Sequence, residues 1–364
     1  MSATGTAAAP DAARSASRRR LGGVALALII VAQTLAGLAY IERTRLDTGD
    51  GDAVYVLWDD AMISMRYARN FAEGHGLLWN PDGERVQGYT NLGLTLVMAG
   101  LHLLPIAPER VSLAVQLLAL ACLIATALWL ARLVRDLTRS GWMGTAAAAA
   151  LLLCSPWQIF ALQGADTVFV GLALVVSAAM FVRAHRRGSN WPLAAYAPLL
   201  AAVAVRPDAS LFALCAAALP LLWPDRRGRR PARVALAALA LLALEWAGLV
   251  VFSLLYYGDP LPNTWYLKAT GAPLPLVLAS GWQQLWLLAR YLAALLLAAA
   301  VAVATGWREP GIALLASFAA AAGVYHLAVG GDWLPAYGSR HLVQVVPVVV
   351  ALAAVGVQRS LARL

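Results

Sequence analysis

The chain has 364 residues, of which 61% are apolar and 13% carry a charged side chain, about half the charged share of an average soluble domain. This composition excludes a soluble globular protein. The net charge of +9 comes almost entirely from arginine, since Lys268 is the single lysine of the chain. Cys122, Cys154 and Cys215 all lie within apolar runs, so the sequence offers neither a disulfide framework nor a CxxC metal site.

Apolar runs of about 15 to 25 residues alternate with short polar stretches, which is the length that a helix needs to cross about 30 Å of hydrocarbon. The predicted fold class is therefore an all-α polytopic membrane protein. Residues 1–20 predict a disordered cytosolic tail, and residues 21–364 predict the transmembrane domain. A cleaved signal peptide is the alternative for the first apolar run, although that run is long for one. The predicted crossings are 21–40, 111–131, 142–160, 168–182, 192–205, 208–224, 234–257, 285–306, 310–329 and 342–358.

The distribution of arginine predicts which side of the plasma membrane each loop faces. With ten crossings and both chain ends in the cytosol, the inner side carries 18 basic residues and four acids, whereas the outer side carries ten basic residues and 14 acids. This asymmetry follows the positive-inside rule, so the basicity indicates orientation and predicts no nucleic-acid partner. The carboxylates and aromatic residues of the outer loops are the predicted place of the chemistry.

The stretch 91–107 is apolar but is not counted among the crossings. A full crossing here would move the arginine-rich loop 132–139 to the outside and invert every later loop. About sixteen helical residues also fall short of the hydrocarbon core. We therefore predict that this stretch, within the long outer loop 42–110, is re-entrant or lies along the membrane surface.

The outer loop 42–110 contains two adjacent acids, Asp59 and Asp60, followed by a pattern typical of a helix. One interpretation is structural, because an acid at a helix start caps free backbone N–H groups and interacts favourably with the helix dipole. The other is catalytic, since adjacent carboxylates at a membrane surface can accept and orient a proton. The two roles are compatible.

Two later outer loops each carry further acids. Asp166 lies between two apolar runs, where it could cap the next helix or coordinate an ion. Arg206-Pro207-Asp208 forms a tight turn, in which an ion pair between neighbours and a helix start are the simplest interpretation.

Two outer loops carry cations that could contact phosphate. Lys268 ends a stretch with four aromatic residues and two prolines, and a flexible ammonium suits a point-charge contact to phosphate. Aromatic residues alone would instead indicate an interfacial belt. Arg340 follows Gly330 and Gly331 in the last outer loop and is a second phosphate candidate. His326, by contrast, has no ligand spacing around it, so a structural role is predicted.

Taken in order, these motifs resemble the integral-membrane glycosyltransferases of class C, and most of all the actinobacterial arabinofuranosyltransferases that use polyprenyl-phosphate donors. The likeness spans about residues 21 to 358. One difference is that Ala165-Asp166 stands where the pattern usually has Leu-Glu. The motifs are Asp59-Asp60-Ala61-Met62, Gly74-His75-Gly76, Gln87-Gly88-Tyr89-Thr90-Asn91, Gly164-Ala165-Asp166-Thr167, Arg206-Pro207-Asp208, Tyr257-Gly258-Asp259, Leu261-Pro262-Asn263-Thr264 and Gly330-Gly331-Asp332-Trp333.

The resemblance implies transfer of a sugar, arabinofuranose by the nearest likeness, from a polyprenyl-phosphate donor to a cell-envelope glycan on the outer face, with inversion. Asp59 matches the position of the family's catalytic carboxylate and is the predicted general base, with Asp60 beside it. From the chemistry of the residues themselves, Lys268 and Arg340 are predicted to bind the donor phosphate. Asp60 and Asp166 could also hold a divalent cation, Mg²⁺ or Mn²⁺. The residues implied to bind substrate are Tyr89, Asn91, Asn263, Trp265 and Asp332.

Two other functions remain open at this point. A transporter or flippase for a lipid-linked sugar is expected to carry polar residues near the midplane and repeated halves, whereas here the acids gather in the outer loops. A non-catalytic membrane subunit of an envelope-glycan assembly is the other alternative, with a partner supplying the soluble outer domain that long members of the class carry.

Overall fold

The computed structural model describes residues 8–49, 53–188, 192–223, 232–269, 272–332 and 338–364, and for 8–19 and 267–269 it describes the backbone alone. Within these residues the chain is mostly helical. The α-helices are α1 Ala8–Glu42, α2 Asp59–Ala72, α3 Leu92–His102, α4 Val111–Thr138, α5 Gly141–Leu152, α6 Ser155–Leu162, α7 Thr167–Arg186, α8 Ala197–Val205, α9 Ser210–Leu222, α10 Ala232–Tyr257, α11 Asn263–Ala269, α12 Leu274–Tyr291, α13 Ala293–Gly306, α14 Pro310–Val329, α15 Arg340–Val343 and α16 Val346–Leu361.

Short elements complete the described structure. Strands β1 (Arg45–Asp47) and β2 (Ala53–Tyr55) pair antiparallel, with Arg45 opposite Tyr55. Single 3₁₀ turns lead into α4, α8 and α9, and two of them begin with proline, at Pro108 and Pro207. Proline suits the first turn of a helix because the missing N–H would have no partner there.

Helix α16 lies at the centre of the bundle. Every residue from Val346 to Gly356 is buried, and the helix packs against α4, α5, α7, α13 and α14. A side-chain carbon at position 356 would lie 1.8 Å from the carbonyl oxygen of Ala298, so only glycine permits this approach of α16 to α13. Close backbone contact at small residues is typical of helices packed in a membrane.

Several helices are long and apolar enough to cross a membrane. Among the described residues these spans are Arg20–Glu42, Pro108–Thr138, Thr167–Arg186, Ala232–Tyr257 and Pro310–Val329. These spans agree with five of the predicted crossings. They confirm the prediction of an all-α membrane protein. Helix α1 begins at Ala8 rather than at Leu21, in an alanine-rich sequence that favours helix.

Two predicted crossings are wrong as single helices. The stretch 142–160 is divided into α5 and α6, bent by 62°. Pro156 lies in the first turn of α6, so it starts a new helix instead of continuing the old one. The stretch 285–306 is divided at Leu292 into α12 and α13, bent by 91°. Helix α12 begins at Leu274, before the predicted start at residue 285, because polar residues such as Gln284 lower the hydropathy of its first part.

The count of ten crossings stays a prediction. It requires that both bent pairs cross and that three of the shorter apolar helices also cross. Four shorter apolar helices are described, and the three that must cross are Leu193–Val205, Pro207–Leu222 and Val346–Leu361, whereas the fourth is Leu92–His102. Helix α3 is the shortest of them, with 11 residues and a length of about 17 Å, which supports the prediction that 91–107 does not cross.

We predict that α3 returns to its own side of the membrane. Asp82 and Glu109 flank α3 on exposed positions. Single cysteines at these positions, Asp82→Cys and Glu109→Cys, should both react with a membrane-impermeant maleimide in intact cells, because both ends of the segment lie outside.

The labelling needs a background without the native cysteines, which are Cys122, Cys154 and Cys215. Arg363→Cys, in the exposed C-terminal tail, serves as the inner control and should react only after permeabilisation. If Glu109→Cys behaved like the inner control while Asp82→Cys reacted from outside, α3 would cross and the ten-crossing topology would be wrong.

Candidate functional site

The acid pair lies at the start of α2. The Asp59 side chain accepts the backbone N–H of Asp60 at 2.9 Å, so it satisfies one of the free donors of the first helical turn. The backbone N–H of Trp58 donates to the carbonyl of Gln163 at 3.1 Å, and the Trp58 ring packs edge-on against Phe160. These contacts fix the start of α2 against the loop between α6 and α7.

Arg340 joins the acid pair to the end of α14. Its Nε and Nη2 donate to the two carboxylate oxygens of Asp332 at 2.9 and 3.0 Å, and its Nη1 donates to Asp60. The backbone N–H of Asp332 donates to Gln284 of α12 at 2.7 Å. We call Asp60, Asp332 and Arg340 the Arg340 cluster. The bidentate geometry fixes the guanidinium, because two parallel N–H···O bonds leave it a single orientation.

A second cluster of the same design lies in the neighbouring turn. Arg206 donates from Nη1 to Asp166 at 2.9 Å, and from Nε and Nη2 to Asp208 at 2.9 and 3.2 Å. The three side chains are about 10% exposed. We call Asp166, Arg206 and Asp208 the Arg206 cluster. Asp166 occupies the N-cap position of α7 but makes no side-chain capping bond, so ion pairing replaces the capping role.

The two clusters adjoin at His341. The charges of Asp166 and Arg206 both act on Arg340, and those of Arg206, Asp208, Asp332 and Arg340 all act on His341. Acids from separate outer loops, which the sequence presents as separate features, therefore form one site at the end of α14 and the start of α7.

A chain of hydrogen bonds leads from His341 into the bundle. Ser339 lies 3.3 Å from His341 Nδ1 and 3.0 Å from His326 Nδ1, and His326 Nε2 lies 3.0 Å from the Gly281 carbonyl. A carbonyl only accepts, so His326 Nε2 donates to it, and the neutral His326 accepts from the Ser339 hydroxyl. Ser339 then accepts from His341 Nδ1. The remaining lone pair of neutral His341 is therefore on Nε2, where it can accept a hydrogen bond.

Burial and ion pairing shift the pKa values of these groups. Burial, followed by the charge of Arg206, lowers the pKa of His341 to about 3, so the imidazole is neutral at physiological pH. Burial alone would raise the pKa of Asp332, but Arg340 outweighs it and holds that pKa well below its usual range. With four carboxylates against two arginines, the joined clusters carry a net charge of −2.

Tyr89 and Asn91, predicted to bind substrate, make contacts inside the protein. Tyr89 is 3% exposed, its hydroxyl lies 3.0 Å from that of Tyr257 in α10, and burial raises its pKa. Asn91 accepts from Ser64 of α2 at 2.9 Å. Both residues hold the outer loop against the bundle, so any contact with substrate comes in addition to this packing.

The remaining predicted binding residues lie near the start of α11. The backbone N–H of Asn263 donates to the Gln87 carbonyl at 3.0 Å, which ties α11 to the outer loop. Trp265 is 50% exposed and is available to a ligand. The side chain of Lys268 lies outside the described residues, so its role as a phosphate contact stays a prediction.

Asp60 and Asp166, the residues predicted to hold a divalent cation, are each paired with an arginine. Across the described ranges, no group of three or more His, Cys, Asp and Glu residues is placed to hold a metal ion. Because an arginine already engages each of these two carboxylates, their arrangement fits ion pairing rather than coordination of Mg²⁺ or Mn²⁺. The requirement for a cation stays a prediction that chelation and add-back of Mg²⁺ or Mn²⁺ would test.

Sequence reasoning missed part of the site. The ion pair within Arg206-Pro207-Asp208 was predictable because the partners are neighbours. The chain through Ser339 and His326 was not, since His326 lies in α14 as one polar residue in an apolar run. The one available signal was that His341 directly follows Arg340 in the last outer loop.

No protein-family model matches the chain, and a search of curated proteins finds no significant relative. The class of protein therefore rests on the fold itself, which is that of an all-α membrane protein with a charged site at one end of its helices.

We predict that the Arg206 cluster is a major contributor to stability. Arg206→Gln leaves Asp166 and Asp208 buried without a counter-charge, which should lower the free energy of unfolding by about 3–5 kcal/mol. Arg45→Gln is the control, because its pairs with Glu42 and Asp47 are exposed and should be worth less than about 1 kcal/mol. Unfolding in detergent, followed by tryptophan fluorescence, measures both. Equal losses in the two variants would contradict the assignment.

Proposed function

We propose that this protein is a glycosyltransferase that moves a sugar from a polyprenyl phosphate to a cell-envelope glycan on the outer face of the plasma membrane. The observation that carries the proposal is an exposed acid pair at a helix start, one member of which is oriented by a partly buried and doubly paired arginine. The sugar itself, arabinofuranose, and the envelope acceptor come from the resemblance of the motifs.

Asp59 is the better proton acceptor of the pair. Its Oδ1 accepts the backbone N–H of Asp60, and in the described part of the chain its other oxygen has no partner, whereas Asp60 is bound to Arg340. The Asp59 carboxylate takes the proton of the acceptor hydroxyl as the acceptor oxygen forms its bond to the anomeric carbon. The bond between that carbon and the phosphate oxygen breaks, polyprenyl phosphate leaves, and the configuration inverts.

The net negative charge of the joined clusters supports the sugar in the transition state, whereas the leaving phosphate needs other residues. Negative charge stabilises the positive charge that develops on the sugar in the transition state. The leaving phosphate, however, needs cations that are not already neutralised. Three of the five N–H groups of Arg340 bind carboxylates, so Arg340 orients Asp60 and has two donors left for phosphate. Lys268 is then the main candidate for the phosphate contact.

The direct test incubates the purified protein with a panel of polyprenyl-phosphate sugars and an arabinan acceptor, with release of polyprenyl phosphate as the readout. Release that depends on acceptor supports the proposal. Movement of the donor across proteoliposomes without release would favour the transporter, and neither activity would favour a non-catalytic subunit. The double variant with Asp59→Asn and Asp60→Asn is the matched inactive control.

Asp59→Asn keeps the size of the side chain and a hydrogen-bond acceptor for the helix start, so the fold should survive. Sugar transfer should fall by about a hundredfold or more, the usual scale for loss of a general base, while donor binding is unchanged. Transfer rate and donor affinity are measured in parallel. Near-normal turnover in Asp59→Asn together with an inactive Asp60→Asn would assign the base to Asp60 instead.

Lys268→Ala should weaken donor binding by about 1.5–3 kcal/mol, the range for a hydrogen bond to a charged group. Lys268→Arg should restore only part of it, because a planar guanidinium does not rotate its donors as an ammonium does. Affinity is measured for both the donor and free polyprenyl phosphate, and both should fall, since the contact is to phosphate. Unchanged affinity for polyprenyl phosphate in Lys268→Ala would make Lys268 an interfacial anchor.

A further inference from the structure

A cavity of about 280 Å³ lies at the end of the bundle where α4, α7 and α9 end and α14 begins. Its wall is divided into a charged part and an apolar part. The charged or polar lining residues are Asp136, Arg139, His185, Arg186 and Glu309, and the apolar ones include Leu137, Phe181, Val182, Leu219 and Leu314. We call this the Arg139 cavity.

The Arg139 cavity is at the opposite end of the molecule from the two clusters. Helix α7 starts directly after Asp166 of the Arg206 cluster and ends at Arg186 in the wall of the cavity. Its 20 residues span about 30 Å, the thickness of the hydrocarbon core. Helix α14 makes the same connection in reverse, from Pro310 at the cavity to the residues before Asp332. The predicted orientation places the cavity at the cytosolic leaflet.

The acids of the Arg139 cavity are already paired. Asp136 lies 3.2 Å from Arg183 and 3.8 Å from Arg186, and Glu309 lies 2.5 Å from Arg359. These three arginines and Arg139 make four positive charges against two carboxylates. The excess is two positive charges. An excess of positive charge beside an apolar wall complements an anion that carries an apolar part.

Arg139 is the cation of this cavity without a counter-charge. Its side chain is exposed, and in the part of the chain that the structure describes it has no hydrogen-bond or ion-pair partner. It ends α4 at φ 59°, the one non-glycine residue with positive φ in the described ranges. Glycine is the usual residue at such a helix end, so the backbone conformation does not account for an arginine at this position.

We propose that the Arg139 cavity binds the phosphate-bearing headgroup of an anionic phospholipid, with Arg139 and Arg186 on the phosphate and the apolar wall against the start of the acyl chains. The shared chemistry is a phosphate group, and the lipid is favoured over free phosphate because the apolar wall would otherwise face water at the mouth of the cavity. This inference is independent of the proposed glycosyl transfer.

The test measures the thermal stability of the delipidated full chain in neutral detergent as phosphatidylglycerol, phosphatidylcholine or inorganic phosphate is added. A ligand that binds only the folded state raises the midpoint of unfolding with its concentration. Phosphatidylglycerol should do so, and phosphatidylcholine should need at least a tenfold higher concentration for the same shift. Equal shifts by the two lipids would overturn the proposal, and so would an equal shift by inorganic phosphate without lipid.

Two variants locate the site. Arg139→Gln and Arg139→Gly should each weaken the response to phosphatidylglycerol at least tenfold, and the glycine variant folds readily because positive φ favours glycine. Arg132→Gln is the matched control: Arg132 is on the same helix and is exposed, but it stacks on Trp129 and does not line the cavity. A response that survives in both Arg139 variants, or falls equally in Arg132→Gln, would show that phosphatidylglycerol binds elsewhere.

Discussion

The contact of Arg340 with Asp332 and Asp60 orients one carboxylate of the acid pair, at a helix start that Trp58 holds in place. Asp60 and Arg340 are 280 positions apart in the chain, and their contact joins the outer loop to the end of α14. A guanidinium taken out of water is costly unless carboxylates surround it, and here the bidentate bond to Asp332 supplies most of that compensation. Asp60 is half exposed, and its carboxylate is thus bound to a guanidinium whose orientation is fixed.

The Arg206 cluster repeats this design, with one arginine between two carboxylates, but deeper in the protein. The difference in burial separates two roles. The Arg206 cluster is almost closed to solvent and joins the starts of α7 and α9, so it belongs to the framework of the site. The Arg340 cluster keeps one carboxylate open to solvent, which is what a group that meets a substrate requires.

Sequence reasoning predicted those features that depend on local composition. Long apolar runs such as 232–257 were predictable because hydrophobicity decides which segments leave water. The bends at Cys154 and Leu292 were not, since both sides of each break are apolar and hydropathy carries no information on direction. The same holds for the site: the Asp59 and Asp60 pair is visible in the sequence, but which arginine meets it depends on tertiary packing.

Helix α12, which meets α13 at a right angle, has two faces with different surroundings. Trp282 and Trp286 are more than half exposed on one face, whereas Gly281 and Gln284 on the other face contact His326 and Asp332. Tryptophan side chains are enriched where hydrocarbon meets water. Helix α12 therefore joins a face of exposed tryptophans to the residues that hold the end of α14, so a change at either face acts on the same helix.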